Sequence, residues 1–203
     1  MNALGFPLLS LIAFLPLAGA AIIASVRGDE ETVARNARWT ALWTSGIVLL
    51  LSLILWFRFD PTTAEFQFVE KAVWLGEWGI GYHMGVDGLS VLFVLLSTVL
   101  TPICVVASWE AITSRVREYM IAFLVLETMM VGMFSALDFV VFYVFFEGVL
   151  IPMFLIIGAR GGPRRVYAAF KFFLYTLLGS VLMLLALIWL YLDAGTTDIP
   201  TLI

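Results

Sequence analysis

Within 203 residues the chain has one cysteine, Cys104, and one histidine, His83. A lone cysteine inside an apolar run offers no disulfide framework and no CxxC spacing for a metal or redox centre. A lone histidine rules out His-rich metal sites, and haem, iron–sulfur and flavin chemistry find neither ligands nor a fingerprint. No metal site and no cofactor-binding residue is therefore expected. Charged residues are scarce too, at 13%, against about 25% in soluble domains. No nucleic-acid partner is expected. No Lys or Arg precedes Arg27, so the first apolar run lacks the basic leader of a signal peptide and reads as a retained first helix. There is no low-complexity linker and no internal repeat, which predicts one membrane domain over 1–203.

What is present is apolar surface. Hydrophobic residues make up 63% of the chain and the mean hydropathy is +1.06, more than a soluble domain of this size can bury, so the solvent is lipid. A hydrocarbon core about 30 Å thick needs roughly 20 helical residues. Suitable runs lie at about 4–26, 37–57, 89–109, 119–137, 139–158 and 167–192. They do not alternate as barrel strands would, so the predicted class is all-α, a polytopic protein of six transmembrane helices. Pro7, Pro16, Pro102 and Pro152 inside the runs are tolerable kinks. Trp39, Trp56 and Trp109 fall near span ends, where interfacial aromatics belong.

The cations set the orientation. Arg27, Arg35 and Arg38 fall in the first loop, Arg115 and Arg117 in the third, and Arg160, Arg164 and Arg165 in the fifth. The second loop, about 58–88, holds Arg58 and Lys71 among Asp60, Glu65, Glu70, Glu77 and Asp87. The fourth has no cation, and the segment after Tyr191 has only Asp193 and Asp198. Odd loops are therefore expected inside, and the N-terminus outside, on the periplasmic side. In the second loop, EFQFVEKAVWL and GEWGIGYHMG read as a short hairpin over the outer face. Asp87 in GVDGLS is expected to cap the third helix, and His83 to be an exposed loop residue without a chemical role.

Three ionisable groups sit well inside the spans: Glu127, Glu147 and Lys171. Such groups point to an ion or proton path, the plain alternatives being a helix-bonding group or a side chain that snorkels. Glu147 stands out in the run VVFYVFFEGVLIPMFLIIG, residues 140–158. It lies nine residues from Asp138 and eleven from Gly158, hence about 13 and 16 Å from the two surfaces, too deep to snorkel. A buried carboxylate whose charge a movable cation can control is what a proton relay requires. Gly148 and Pro152 favour a locally irregular helix that admits water. Glu127, eleven residues before the same turn, is at about 16 Å; it is either a second carboxylate coupled to Glu147 or a lone structural glutamate. Lys171 sits about 8 Å inside the inner edge, either snorkelling or lining the inner approach to Glu147. Tyr175, Thr176, Gly179 and Ser180 follow it on the same helix, as close-packing and hydrogen-bonding residues, or as holders of a water chain.

FSALDFVVFYVFFEGVLIPMFLIIG, GIGYHMGVDGLSVLFVLLSTVL and KFFLYTLLGSVLMLLALIWLY resemble the fourth-to-fifth, third and sixth helix regions of the antiporter-like subunit M family of respiratory complex I, NADH–quinone oxidoreductase. The FFE…IP core is shared with Mrp-type cation/proton antiporters, and the GVDGLS entry favours subunit M. The resemblance implies that Glu147 is the proton-relay carboxylate of the fifth helix. It implies a proton-translocating role coupled to quinone reduction, as a subunit of a translocase with no redox centre in this chain. NADH, FMN, iron–sulfur clusters and quinone would belong to other subunits, and the partners would be further membrane-arm subunits, related antiporter-like ones among them, in the lipid bilayer. It also implies a lysine partner on a broken seventh helix and about fourteen spans, so the sequence looks like an N-terminal portion whose fold is truncated before the seventh helix. The expected location is a bacterial plasma membrane rather than a mitochondrial inner membrane. Two alternatives stand beside this one: an Mrp-type cation/proton antiporter subunit, and a non-transporting membrane scaffold.

Overall fold

The computed structural model describes residues 6–76, 79–160 and 162–203, without the side chain of Arg160. Residues 4 and 5 of the first expected span, Glu77 of the outer loop and the Arg160 side chain lie outside the described residues. The elements in chain order are α1 (Leu8–Ser25), α2 (Glu30–Arg58), β1 (Gln67–Leu75), β2 (Ile80–Val86), α3 (Ser90–Ala111), α4 (Val116–Ser135), α5 (Phe139–Arg160), α6 (Arg165–Ala194) and α7 (Ile199–Leu202). Helices α1 to α6 are each long and apolar enough to cross a membrane. The expected spans are thus present, with two differences in extent. Helix α2 begins at Glu30 rather than near 37, which places Arg35 and Arg38 on the helix instead of in the loop. The four-residue α7 was not expected.

Aspartates set the helix starts. The Asp29 side chain accepts from the Thr32 N–H at 3.0 Å, and Glu30 and Glu31 occupy the first turn of α2, where the helix dipole favours negative charge. This cap starts α2 inside a polar stretch that hydropathy alone assigns to a loop. Asp87 does what its position suggested: Oδ1 accepts from Ser90 N at 2.7 Å, while the Ser90 hydroxyl oxygen accepts from Asp87 N at 2.8 Å, a reciprocal cap of the capping-box kind. Asp138 caps α5 by accepting from Val140 N at 2.8 Å and Val141 N at 3.2 Å. Helix α6 stops at Gly195, whose φ of +71° a residue without Cβ adopts freely.

Helix α4 stands at the centre and packs against α1, α2, α3 and α5. On its α5 side the fit depends on small residues: Phe145 lies over Gly132 and Met129 lies over Gly148, where an added Cβ would collide with them. Helix α6 packs against α5 and buries little beyond Ala169 and Ser180.

β1 and β2 form the expected antiparallel hairpin, with Lys71 opposite His83 and Glu70 opposite Met84. It is bonded to the bundle at several points. Glu70 accepts from the N–H groups of Leu9 at 2.8 Å and Ser10 at 3.1 Å and from the Ser10 hydroxyl, capping α1 from a distant strand; the Ser10 hydroxyl also pairs with that of Tyr82 at 2.7 Å. Leu137 N donates to the His83 carbonyl at 2.8 Å, Phe139 N to the Thr197 carbonyl and Ile199 N to the Leu137 carbonyl, both at 2.9 Å. Hairpin, α4–α5 turn and α6–α7 linker thereby form one layer over one end of the bundle. The opposite end carries the arginines other than Arg58, of which Arg38 donates to the Ile112 carbonyl at 2.8 Å and Arg117 to that of Ala24.

Candidate functional site

Successive residues on an α-helix turn by about 100°, so positions 143, 147, 150 and 154 of α5 share one stripe. That stripe faces α6, as the edge-to-face contacts of Phe154 with Phe170 and Phe173, at 5.3 and 5.7 Å, show. Glu147 lies in it, half-buried. Tyr143, one turn earlier, interacts with the Glu147 carboxylate and with the Ser180 hydroxyl of α6. The Glu147 Oε1 atom is buried and has no hydrogen-bond partner among the described residues. A half-buried carboxylate beside a tyrosine hydroxyl, with one oxygen unengaged among the described residues, has a free position at which a proton can bind.

Glu127 is more deeply enclosed, at 0% exposure, and neither of its carboxylate oxygens has a hydrogen-bond partner among the described residues. Thr101 of α3 lies beside it but donates its hydroxyl to the Ser97 carbonyl, 3.0 Å away. Met129, which meets Gly148 of α5, stands about 200° round α4 from Glu127. The structure therefore turns Glu127 toward α3 and away from Glu147.

Lys171 is exposed on α6, with its Nζ 6.0 Å from the Tyr167 ring centroid. Nine residues separate it from Ser180, which puts the two about 180° apart round the helix. It points away from the Glu147 side, so the structure does not bring this cation to that carboxylate. Snorkelling fits its place near the arginine end.

His83 requires a correction. It is 4% exposed, lies on β2, and its Nδ1 is 2.5 Å from Asp198 Oδ1. The loop expectation failed because the residues that bury it, Leu137, Asp138 and Asp198, come from distant segments. Sequence reasoning also passed over Tyr143, although its place four residues before Glu147 was a usable signal.

The fold and its carboxylates define a polytopic helical membrane protein with ionisable groups held between its helices. The family described as NADH-ubiquinone oxidoreductase chain 4, amino terminus, matches residues 32–136, and the one described as NADH:quinone oxidoreductase/Mrp antiporter, transmembrane, matches 136–203. The chain belongs to the NADH-ubiquinone oxidoreductase chain 4 family, whose bacterial relatives are named NADH-quinone oxidoreductase subunit M. It is 57% identical over 196 residues to subunit M of Rhodobacter capsulatus, covering 96% of this chain and 38% of that protein. It is 46% identical to chain 4 of Marchantia polymorpha, covering 96% and 39%. The chain thus spans about two fifths of the length of the curated relatives it matches. Among solved structures, respiratory complex I from Thermus thermophilus with bound NADH aligns at TM-score 0.77 and 31% identity, covering 94% of this chain and 38% of that one. The Mrp complex from Dietzia sp. DQ12-45-1b shares the fold at TM-score 0.76 and 21% identity, covering 94% and 20%.

Proposed function

We propose that this chain works in the membrane arm of a proton-translocating NADH–quinone oxidoreductase, with Glu147 as the relay carboxylate. The observation that carries this is the place of Glu147: near mid-membrane on the α6-facing side of α5, beside Tyr143, which also meets Ser180 of α6, with one oxygen unengaged among the described residues. Quinone reduction elsewhere in the complex moves charge along the membrane arm, and Glu147 loads a proton from the inner side in response. Moving one charge across 100 mV requires about 2.3 kcal/mol, and a two-unit change in proton affinity corresponds to about 2.7 kcal/mol. The two scales match.

The arginine end of the bundle faces the cytoplasm, which puts the hairpin and the N-terminus outside. Redox chemistry belongs to other subunits, which hold NADH, FMN, iron–sulfur clusters and quinone; one histidine and one cysteine supply no set of ligands for it here. The neighbours are other membrane-arm subunits, including antiporter-like ones, and the location is a bacterial plasma membrane. Glu127 serves as a buried structural group and Lys171 as an inner-edge cation.

The test uses inverted membrane vesicles carrying the whole complex with Glu147→Gln. NADH oxidation and NADH-driven acidification are followed together, after a check of assembly. Loss of acidification in an assembled complex is expected. Normal acidification per NADH would make Glu147 a structural carboxylate.

A further inference from the structure

Trp39 and Trp109, which the sequence puts near span ends, meet in the fold. Their rings lie edge-to-face 5.3 Å apart at the arginine end of α2 and α3. Arg38 folds across this pair. Its guanidinium carbon is 6.0 Å from the Trp109 ring centroid, and Nη2 donates to the Ile112 carbonyl at 2.8 Å. An arginine at a membrane edge that had only to reach water would extend away from the bilayer. This one is held at the level of the tryptophans by a ring and a carbonyl, and its Nε has no hydrogen-bond partner among the described residues. A guanidinium fixed in this way is pre-organised, so little side-chain entropy is lost when an oxyanion joins it. Arg35, one turn nearer the water, is exposed. Among the described residues no carboxylate forms an ion pair with either arginine; Glu31 of α2 and Glu110 of α3 are exposed and pair with neither.

Deeper in the membrane the same face becomes apolar. On a helix, Arg35, Arg38, Leu42 and Gly46 fall within one sector about 80° wide, on the side of α2 from which Arg38 reaches the end of α3. A Cβ added to Gly46 would meet nothing within 4 Å, so the seam is open about 12 Å below Arg38. Beside it Trp43, Ile47, Leu50 and Ile54 are exposed. The residues four places either side of Gly46 are Leu42 and Leu50, so α2 lacks the small-x-x-x-small spacing that a closely packed partner helix uses. The face instead offers a fixed cationic fork at headgroup level above an apolar seam.

We propose that the α2–α3 seam binds an anionic phospholipid, with its phosphate against Arg38 and Arg35 and one acyl chain along the seam past Gly46. Charge complementarity selects the class of lipid. Two unpaired guanidinium groups attract a headgroup of net negative charge, whereas a zwitterionic headgroup brings a cation of its own to the same place. The paired indoles suit this depth, since tryptophan keeps its ring among the chains and its N–H at the polar boundary. The proposal is independent of the relay role of Glu147.

The test uses the whole complex in phosphatidylcholine nanodiscs that contain a little phosphatidylglycerol with a photoactivatable diazirine in its acyl chain. After illumination the labelled peptides of this chain are identified by mass spectrometry. Label is expected on segment 39–50 of α2, suppressed by excess unlabelled phosphatidylglycerol and not by further phosphatidylcholine. The double variant Arg35→Gln/Arg38→Gln lowers it about tenfold or more. Gly46→Leu, whose side chain enters open space, lowers it with both arginines intact. Label that ignores the headgroup, or persists undiminished in the assembled double variant, makes the seam an ordinary lipid contact and overturns the proposal. Absence of label from 39–50 in the wild type also overturns it, and means that another subunit covers this face. Where the double variant fails to assemble, headgroup competition in the wild type and the Gly46→Leu result decide the matter.

Discussion

Glu127 and Glu147 lie at nearly the same depth, one on α4 and the other on α5, in opposite surroundings. Glu127 is on the central helix, at 0% exposure, turned toward α3. Glu147 is on the α6-facing side of α5, half-buried, with Tyr143 beside it. Depth makes both carboxylates expensive, yet a relay must also exchange its proton with something. On the α5–α6 side Tyr143 meets the carboxylate and lines a crevice, whereas the α4 site is sealed by packed helices and the Thr101 hydroxyl beside it is already given to the Ser97 carbonyl.

The largest effect is expected from exchanging the two amides in parallel. Glu147→Gln abolishes NADH-driven acidification in assembled complexes, whereas Glu127→Gln leaves acidification per NADH at the wild-type level. Equal losses in both variants would break the distinction between the sites. Next comes Gly132→Leu, which pushes a side chain into Phe145 at the α4–α5 contact. Overpacking of this kind costs about 1–3 kcal/mol and is expected as a lower thermal midpoint of the assembled complex. A hydroxyl-by-hydroxyl comparison is smaller in effect. Tyr143→Phe lowers the pumping rate about fivefold, the equivalent of one hydrogen bond of about 1 kcal/mol, while Thr101→Val beside Glu127 leaves the rate unchanged. The smallest effect is expected for Lys171→Met, since that side chain points away from Glu147; a large loss of pumping there would mean that the lysine reaches the path by contacts beyond those described.

Much of this architecture was legible. Six apolar runs, the arginine bias of alternate loops and the alternating aromatic stretch before GVDGLS gave the spans and the hairpin. Asp87 was readable as a cap because a carboxylate two or three residues before a helical run meets free N–H groups wherever it occurs. The early start of α2 was within reach too, since Asp29 followed by Glu30 and Glu31 is a start signal that hydropathy averaging hides. His83 was beyond reach. Its partner Asp198 is 115 residues away, and no local pattern in GYHMG announces that a linker after α6 will cover it.

By itself, then, the sequence determined that this chain lives in lipid, crosses it with helices, and accepts carboxylates at mid-membrane, because hydropathy, helix length and charge placement are properties of contiguous residues. The tertiary structure alone decided which way each carboxylate turns, that Lys171 and Glu147 stay apart, and that His83 is buried against Asp198. Those outcomes depend on how helices rotate and dock against one another, which close packing between distant segments fixes.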